Sequence, residues 1–254
     1  MLILISRRAW RRRSISPERS VNPRHVAIVR VTHWLTVVAF VTLLITGMEI
    51  VISHPRFYWG EIGNVNTKPA FMLPIPASRD TVPTAYKYVM PDQNGWSRYL
   101  HFEAAWLLVL TALVYGTWGF ASGHFRRNLV PVRGERSWGA MWERVAKYLR
   151  GAPIDAQEEK SYNALQRVVY LVVIFVLFPA MIWTGLAMSP SFTAAFPATA
   201  WVVGGRQTAR TLHFFLCWVL VGFLVLHVVM VAISGFRRRM RAMTLGYWSK
   251  GEPL

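Results

Sequence analysis

The chain has 254 residues, of which 54% are hydrophobic and only 16% charged, where an average soluble domain carries about 25% charged residues. The formal net charge is +17, but the basic residues cluster between long apolar runs, which is how charge flanks a membrane and not how it lines a nucleic-acid surface. With one cysteine, Cys217, and no CxxCH stretch, an intrachain disulfide, covalently attached haem and a thiolate-held iron–sulfur cluster are excluded.

The first twenty residues, "MLILISRRAWRRRSISPERS", place their apolar stretch before the arginines. A secretory signal has the reverse order, with about 7–15 apolar residues after the basic ones. Residues 1–26 are therefore expected to be a cytoplasmic basic tail. Four segments are then long and apolar enough to cross roughly 30 Å of hydrocarbon: 27–52, 99–121, 165–188 and 208–235. In lipid they must be helices, because each backbone amide needs a partner inside its own segment. Cys217 lies within the fourth and reads as a small helix-packing residue. The connection 53–98, "HPRFYWGEIG" near its start, is rich in Pro, Tyr and Trp. That is too aromatic for a disordered linker, so a folded cap or a docking surface is expected.

Charge sets the expected orientation. Residues 1–26 carry seven Arg and one acid, 122–163 carry eight Lys/Arg, and "FRRRMR" follows the fourth span directly. The connection 53–98 carries five Lys/Arg, and 189–207 carries only Arg206. The positive-inside rule puts the first group in the cytoplasm and the other two loops outside, in the periplasm of a bacterial inner membrane. The expected fold is an all-α integral membrane protein, a four-transmembrane-helix up-down bundle with both termini cytoplasmic, in which 27–235 form the membrane domain and 236–254 a cytoplasmic tail.

Seven histidines are present, and four fall inside the spans: His33, His101, His213 and His227. A titratable ring in hydrocarbon is costly and marks a functional position unless a neighbouring helix hydrogen-bonds it. With alternating span directions, His101 and His213 share the outer level and His33 and His227 the inner one. His213 and His227 are 14 residues apart, about 21 Å along the axis and only about 40° off one helix face. Two histidines at one depth on facing helices suit the axial ligation of a b-type haem in an apolar setting. Zinc wants about four ligands in a tetrahedron, and Glu103, the nearest acid to His101, is turned away by about 200°. Three of the four histidines occur as Arg-x-x-His: Arg30, Arg98 and Arg210 precede His33, His101 and His213. Residues i and i+3 share a helix face, so each arginine either pairs with a haem propionate or snorkels to the interface. His25, His54 and His124 lie outside the spans or at their rims and read as solvated interface residues.

"RVTHWL", "RYLHF", and "RTLH" with a further histidine fourteen residues on together resemble the membrane cytochrome b subunits of formate dehydrogenase, Ni,Fe-hydrogenase and thiosulfate reductase. "HPRFYWGEIG" looks most like the thiosulfate-reductase type, and the resemblance spans about 25–245. It implies two haems b, held by His101 with His213 and by His33 with His227, and electron exchange between membrane quinone (menaquinone or ubiquinone) and a periplasmic redox enzyme, molybdopterin-containing or of cytochrome c type. It also implies a quinone site in which Asn163 and Gln166 of "YNALQR" take part; as polar residues at a helix start they read equally as caps. The loop 53–98 is longer than in the formate dehydrogenase relatives. A haem-free membrane anchor and a histidine-based proton or ion transporter are the competing functions.

Overall fold

The computed structural model describes residues 25–64, 66–75, 93–131 and 164–246, with scattered positions between 137 and 150. The basic tail up to residue 24, Asn163 and residues 76–92 of the first loop lie outside the described residues. Among them the chain is mostly helical. Helix α1 covers Ala27–Ser53, a two-stranded hairpin follows (β1 Arg56–Phe57, β2 Phe71–Met72), and α2 covers Gln93–Ala121. Helix α3 covers Ala164–Met188, with a π-helical turn at Val173–Leu177. Two short helices, α4 (Pro190–Ala195) and α5 (Ala198–Val202), lead into α6 (Arg206–Ile233) and then α7 (Phe236–Leu245). Four of these, α1 to α3 and α6, are long and apolar enough to cross a membrane.

The spans match the sequence expectation apart from their ends. Helix α2 begins at Gln93, six residues before the expected start at 99, because a helix can extend past the hydrocarbon while a hydropathy window cannot. Helix α6 stops at Ile233 because Gly235 takes φ 96°, a conformation few side chains tolerate. The segment read as a C-terminal tail contains α7.

The packing is inverted relative to a soluble bundle. The buried residues of α1 are Thr32, Ala39, Thr46 and Ser53, one every second turn, while Val31, Val38 and Ile45 are more than half exposed. On α2, Ser97, Ala104 and Thr111 repeat that spacing. Small residues let helix backbones approach, and large apolar ones face outward, as lipid requires. The buried hydroxyls of α1 bond carbonyls of their own helix: Thr32 donates to the Ile28 carbonyl at 2.7 Å and Ser53 to Glu49 at 3.1 Å. The π-helical turn of α3 lies just before Pro179. In a regular helix that ring would meet the carbonyl of Phe175, and the wider turn relieves the clash.

Helix α1 packs along α2, and α3 along α6. The first residues after α1 fold back over the start of α6. Three backbone N–H groups in the first turn of α6 are capped by this segment: Gly60 carbonyl accepts from Gln207 and Thr208 at 3.0 and 3.1 Å, and the Glu61 carboxylate from Arg206 at 2.9 Å. A helix N-terminus has about four such unpaired donors and a partial positive charge, so a carbonyl and a carboxylate are the right partners. Thr211 adds a bond to the Tyr58 carbonyl at 2.7 Å, and Phe57 packs between Phe71 and Phe214 with centroids 4.7 and 4.5 Å away. The described part of the loop is thus a folded cap.

The cap depends on Gly205. A Cβ there would lie 2.5 Å from the Gly60 carbonyl, and the residue has φ 107°. Gly205→Ala is expected to cost roughly 1–3 kcal/mol, read as a lower thermal midpoint in detergent; an unchanged midpoint would show that the cap does not hold α6.

Candidate functional site

The four intramembrane histidines come together in two pairs. The rings of His101 on α2 and His213 on α6 have centroids 6.4 Å apart, with planes at 60°. Those of His33 on α1 and His227 on α6 are also 6.4 Å apart, at 51°. An imidazole nitrogen lies about 2.0–2.1 Å from a first-row metal it ligates and roughly 1.15 Å from its ring centre, so two imidazoles on opposite sides of one ion hold their centroids about 6.4 Å apart. The angle between planes is free in such a pair, because each ring turns about its own metal bond. Both pairs have the separation that would let two imidazoles hold one metal ion between them. Among the described residues no three His, Cys, Asp or Glu side chains gather as a polydentate metal site would require.

The pairs sit at opposite ends of the bundle. The His101–His213 level is the loop end, where Arg210 reaches the His54 carbonyl just beyond α1. The His33–His227 level is the terminal end, where Arg30 donates to the Thr244 carbonyl at 2.8 Å and Trp34 to Met243 at 3.2 Å.

At the loop end, hydrogen bonding selects the tautomer. The Thr46 hydroxyl donates to the Thr42 carbonyl at 2.7 Å, so its oxygen accepts from Nδ1–H of His101 at 2.9 Å. Thr184 repeats the arrangement: it donates to the Ala180 carbonyl at 2.9 Å and accepts from Nδ1–H of His213 at 2.9 Å. A hydroxyl has one proton; once it is committed to a carbonyl, the imidazole must supply its own. That leaves Nε2 of both rings with a bare lone pair, the form that ligates a metal. Each threonine is followed by a glycine that lies against the same ring: a Cβ on Gly47 would lie 3.5 Å from His101 Cε1, and one on Gly185 3.6 Å from His213 Cε1. These two Thr-Gly dipeptides were not singled out from the sequence. The available signal was their repetition, "ITG" in the first span and "WTG" in the third, about two turns and about one turn from the ends of their spans.

At the terminal end the rings are held by aromatic contacts. Trp34 meets His33 edge-on at 5.3 Å, and Phe223 stacks on His227 at 5.8 Å. Two buried polar atoms there have no partner among the described residues, His33 Nδ1 and Arg30 Nε. Orphans of this kind in apolar surroundings mark a place where another polar group belongs.

The three arginines of Arg-x-x-His have different surroundings. Arg30 is stapled to α7 but keeps its buried Nε–H. Arg210 bonds the His54 carbonyl and lies over the Phe57 ring at 5.1 Å, so it ties the cap to α6. Arg98 is exposed. Gln166 is half-buried in the first turn of α3, beside Arg167, which donates to the Val130 carbonyl at 3.2 Å. Glu103 is exposed, as its position on α2 demands. His124, expected to be solvated, is half-buried among Tyr115, Trp118 and Phe125, with Asn128 Nδ2 3.0 Å from its Nδ1. Burial, and secondarily the Arg127 guanidinium, holds its pKa below the usual range. His54 contributes its carbonyl to Arg210.

Comparison with known proteins gives the family. A putative protein-methionine-sulfoxide reductase subunit YedZ1 of Azospira oryzae is 28% identical over 228 residues, covering 88% of this chain and 96% of that protein. A probable Ni/Fe-hydrogenase B-type cytochrome subunit of Cupriavidus necator is 27% identical over 251 residues, covering 92% and 90%. A probable Ni/Fe-hydrogenase 1 B-type cytochrome subunit of Escherichia coli is 26% identical over 215 residues, covering 80% and 79%. Residues 24–246, which include all four spans and both histidine pairs, match the family described as prokaryotic cytochrome b561, and the chain belongs to that family.

Proposed function

We propose that this haem b membrane protein is a di-haem subunit, carrying electrons between membrane quinone and a redox enzyme docked at its loop end. The observation that carries the reading is the pair of 6.4 Å ring separations, one at each end of the bundle. His101 and His213 hold one haem, His33 and His227 the other. Haem b, when bound, supplies a one-electron redox centre at each level.

The remaining roles belong to the chain. Thr46 and Thr184 keep the loop-end imidazoles in the ligating tautomer and orient them, as outer-shell partners do. Arg30 presents its unpaired Nε–H beside His33 to a propionate. A guanidinium has five N–H groups, so Arg210 retains donors for a propionate after bonding His54, and Arg98 stands one turn above His101. The Phe57–Phe71–Phe214 cluster closes the loop end next to His213 and keeps water from it. Asn163 and Gln166 hydrogen-bond quinone carbonyls at the terminal end.

The described arginines Arg126, Arg127, Arg237, Arg238, Arg239 and Arg241 support a cytoplasmic terminal end by the positive-inside rule. The helices then run up and down across the bacterial inner membrane, and the cap faces the periplasm. The relatives are named as subunits of a methionine-sulfoxide reductase and of Ni/Fe-hydrogenases, which supports a redox enzyme as partner here; our reading is that this enzyme is molybdopterin-containing or of cytochrome c type.

His227→Ala is expected to remove one haem and leave the other, measured as haem per chain in the purified protein; loss of both or of neither contradicts the pairing. A folded preparation of the wild type without haem supports instead a membrane anchor or a histidine proton relay. Thr46→Val and Thr184→Val should each weaken retention of the loop-end haem about 10- to 100-fold and leave the terminal-end haem in place. Uniform loss at both levels would show that the threonines act on stability alone. Gln166→Ala is expected to raise KM for a quinol analogue about fivefold, the effect of one hydrogen bond, at constant haem content; an unchanged KM removes Gln166 from the quinone site.

A further inference from the structure

Helix α7 begins at Phe236, three residues after α6 ends at Ile233, with Gly235 at φ 96° turning the chain between them. Its far end is pinned. Arg30 and Trp34 of α1 donate to the carbonyls of Thr244 and Met243, and Gly246 at φ 94° closes the last turn through a 3.0 Å bond to Ala242. A cation on the unpaired carbonyls of a helix C-terminus is favourable in charge as well as in hydrogen bonding. The helix is therefore fixed at both ends against the end of the bundle.

At about 100° per residue, Phe236, Met240 and Met243 fall within about 60° of one another. Arg237, Arg238 and Arg241 fall within about 100° on another side, and all three are exposed. Ala242, on a third side, is buried at 1% exposure against the rest of the protein. Phe236 is half exposed although it lies one turn past the hydrocarbon-spanning segment.

We infer that α7 is a membrane-surface helix that binds the phosphate headgroups of anionic phospholipids. An apolar stripe beside a cationic one, carried directly on the end of a transmembrane helix, sets acyl chains against Phe236 and Met240 and headgroup phosphates against the arginines. Nucleic acid or an acidic protein would use the arginines and leave the apolar stripe in water. Guanidinium forks suit phosphate oxygens bidentately. Because α7 also holds Arg30 and Trp34, which flank His33, lipid on this helix supports the first turns of α1. The lipid site does not depend on the haem assignment, and its test reads lipid alone.

The test is native mass spectrometry of the full chain in detergent with phosphatidylglycerol or phosphatidylcholine added at equal concentration. Wild type should retain phosphatidylglycerol in preference. The triple variant Arg237→Gln, Arg238→Gln, Arg241→Gln should lose roughly a hundredfold in that affinity, from about fivefold per charge. Arg241→Gln alone, about fivefold weaker, gives the same answer if the triple variant does not fold. Phe236→Ala should also weaken retention, whereas Arg126→Gln with Arg127→Gln should not. Equal retention of the two lipids, wild-type retention by the Arg241 variant and a folded triple variant, or displacement of the lipid by a short oligonucleotide would overturn the inference.

Discussion

A histidine inside hydrocarbon has two ring nitrogens, and no water is present to satisfy either. Everything at the loop end follows from how that constraint is met. One nitrogen donates to a threonine hydroxyl whose own proton is committed to a backbone carbonyl one turn back, at 2.7 Å for Thr46 and 2.9 Å for Thr184. The other nitrogen is then an unprotonated acceptor, on a ring that neighbours its counterpart across the bundle. Neutral, oriented and paired, such a ring is either a buried polar group without a donor, which costs about 1–3 kcal/mol, or a metal ligand. The 6.4 Å separation of the centroids favours the second. The terminal end repeats the separation without the threonines. It leaves His33 Nδ1 and Arg30 Nε buried and without a partner among the described residues, so the two sites differ in the environment they offer.

The fold serves this arrangement by turning its packing inside out. Small residues every seventh position bring α1 and α2 together, and α6 spans the gap by offering one histidine to α2 and another to α1. Its length and face therefore fix the distance between the two levels. The cap after α1 fixes α6 in turn: Gly60 and Glu61 occupy its first-turn amides, and the guanidinium of Arg210 holds the chain at His54. A single constraint at Gly205, where the backbones meet too closely for a side chain, thus reaches to the level of His213.

Much of this was legible in the sequence because hydrocarbon leaves few choices. Length and hydropathy place the ends of the four spans to within six residues, and alternation of direction sorts the histidines by depth. The 14-residue step from His213 to His227 placed both on one face. What the sequence concealed was the second partner of each ring. Thr46 and Thr184 look like ordinary small helix-packing residues, and only the facing helix shows that they meet a histidine. The part played by Arg210 was half legible: its one-turn distance from His213 was visible, its hold on His54 was not, because loop conformation has no period. Helix α7 was hidden for a similar reason. Four arginines in six residues read as a solvated tail until the structure placed its carbonyls on α1.

The account rests on two-histidine ligation at both levels. Near-infrared magnetic circular dichroism of the oxidised, full-length protein reports axial ligand chemistry directly. The account predicts the signature of low-spin ferric haem with two histidine ligands, at two equivalents per chain. High-spin haem, a ligand other than histidine, or a single equivalent would contradict it.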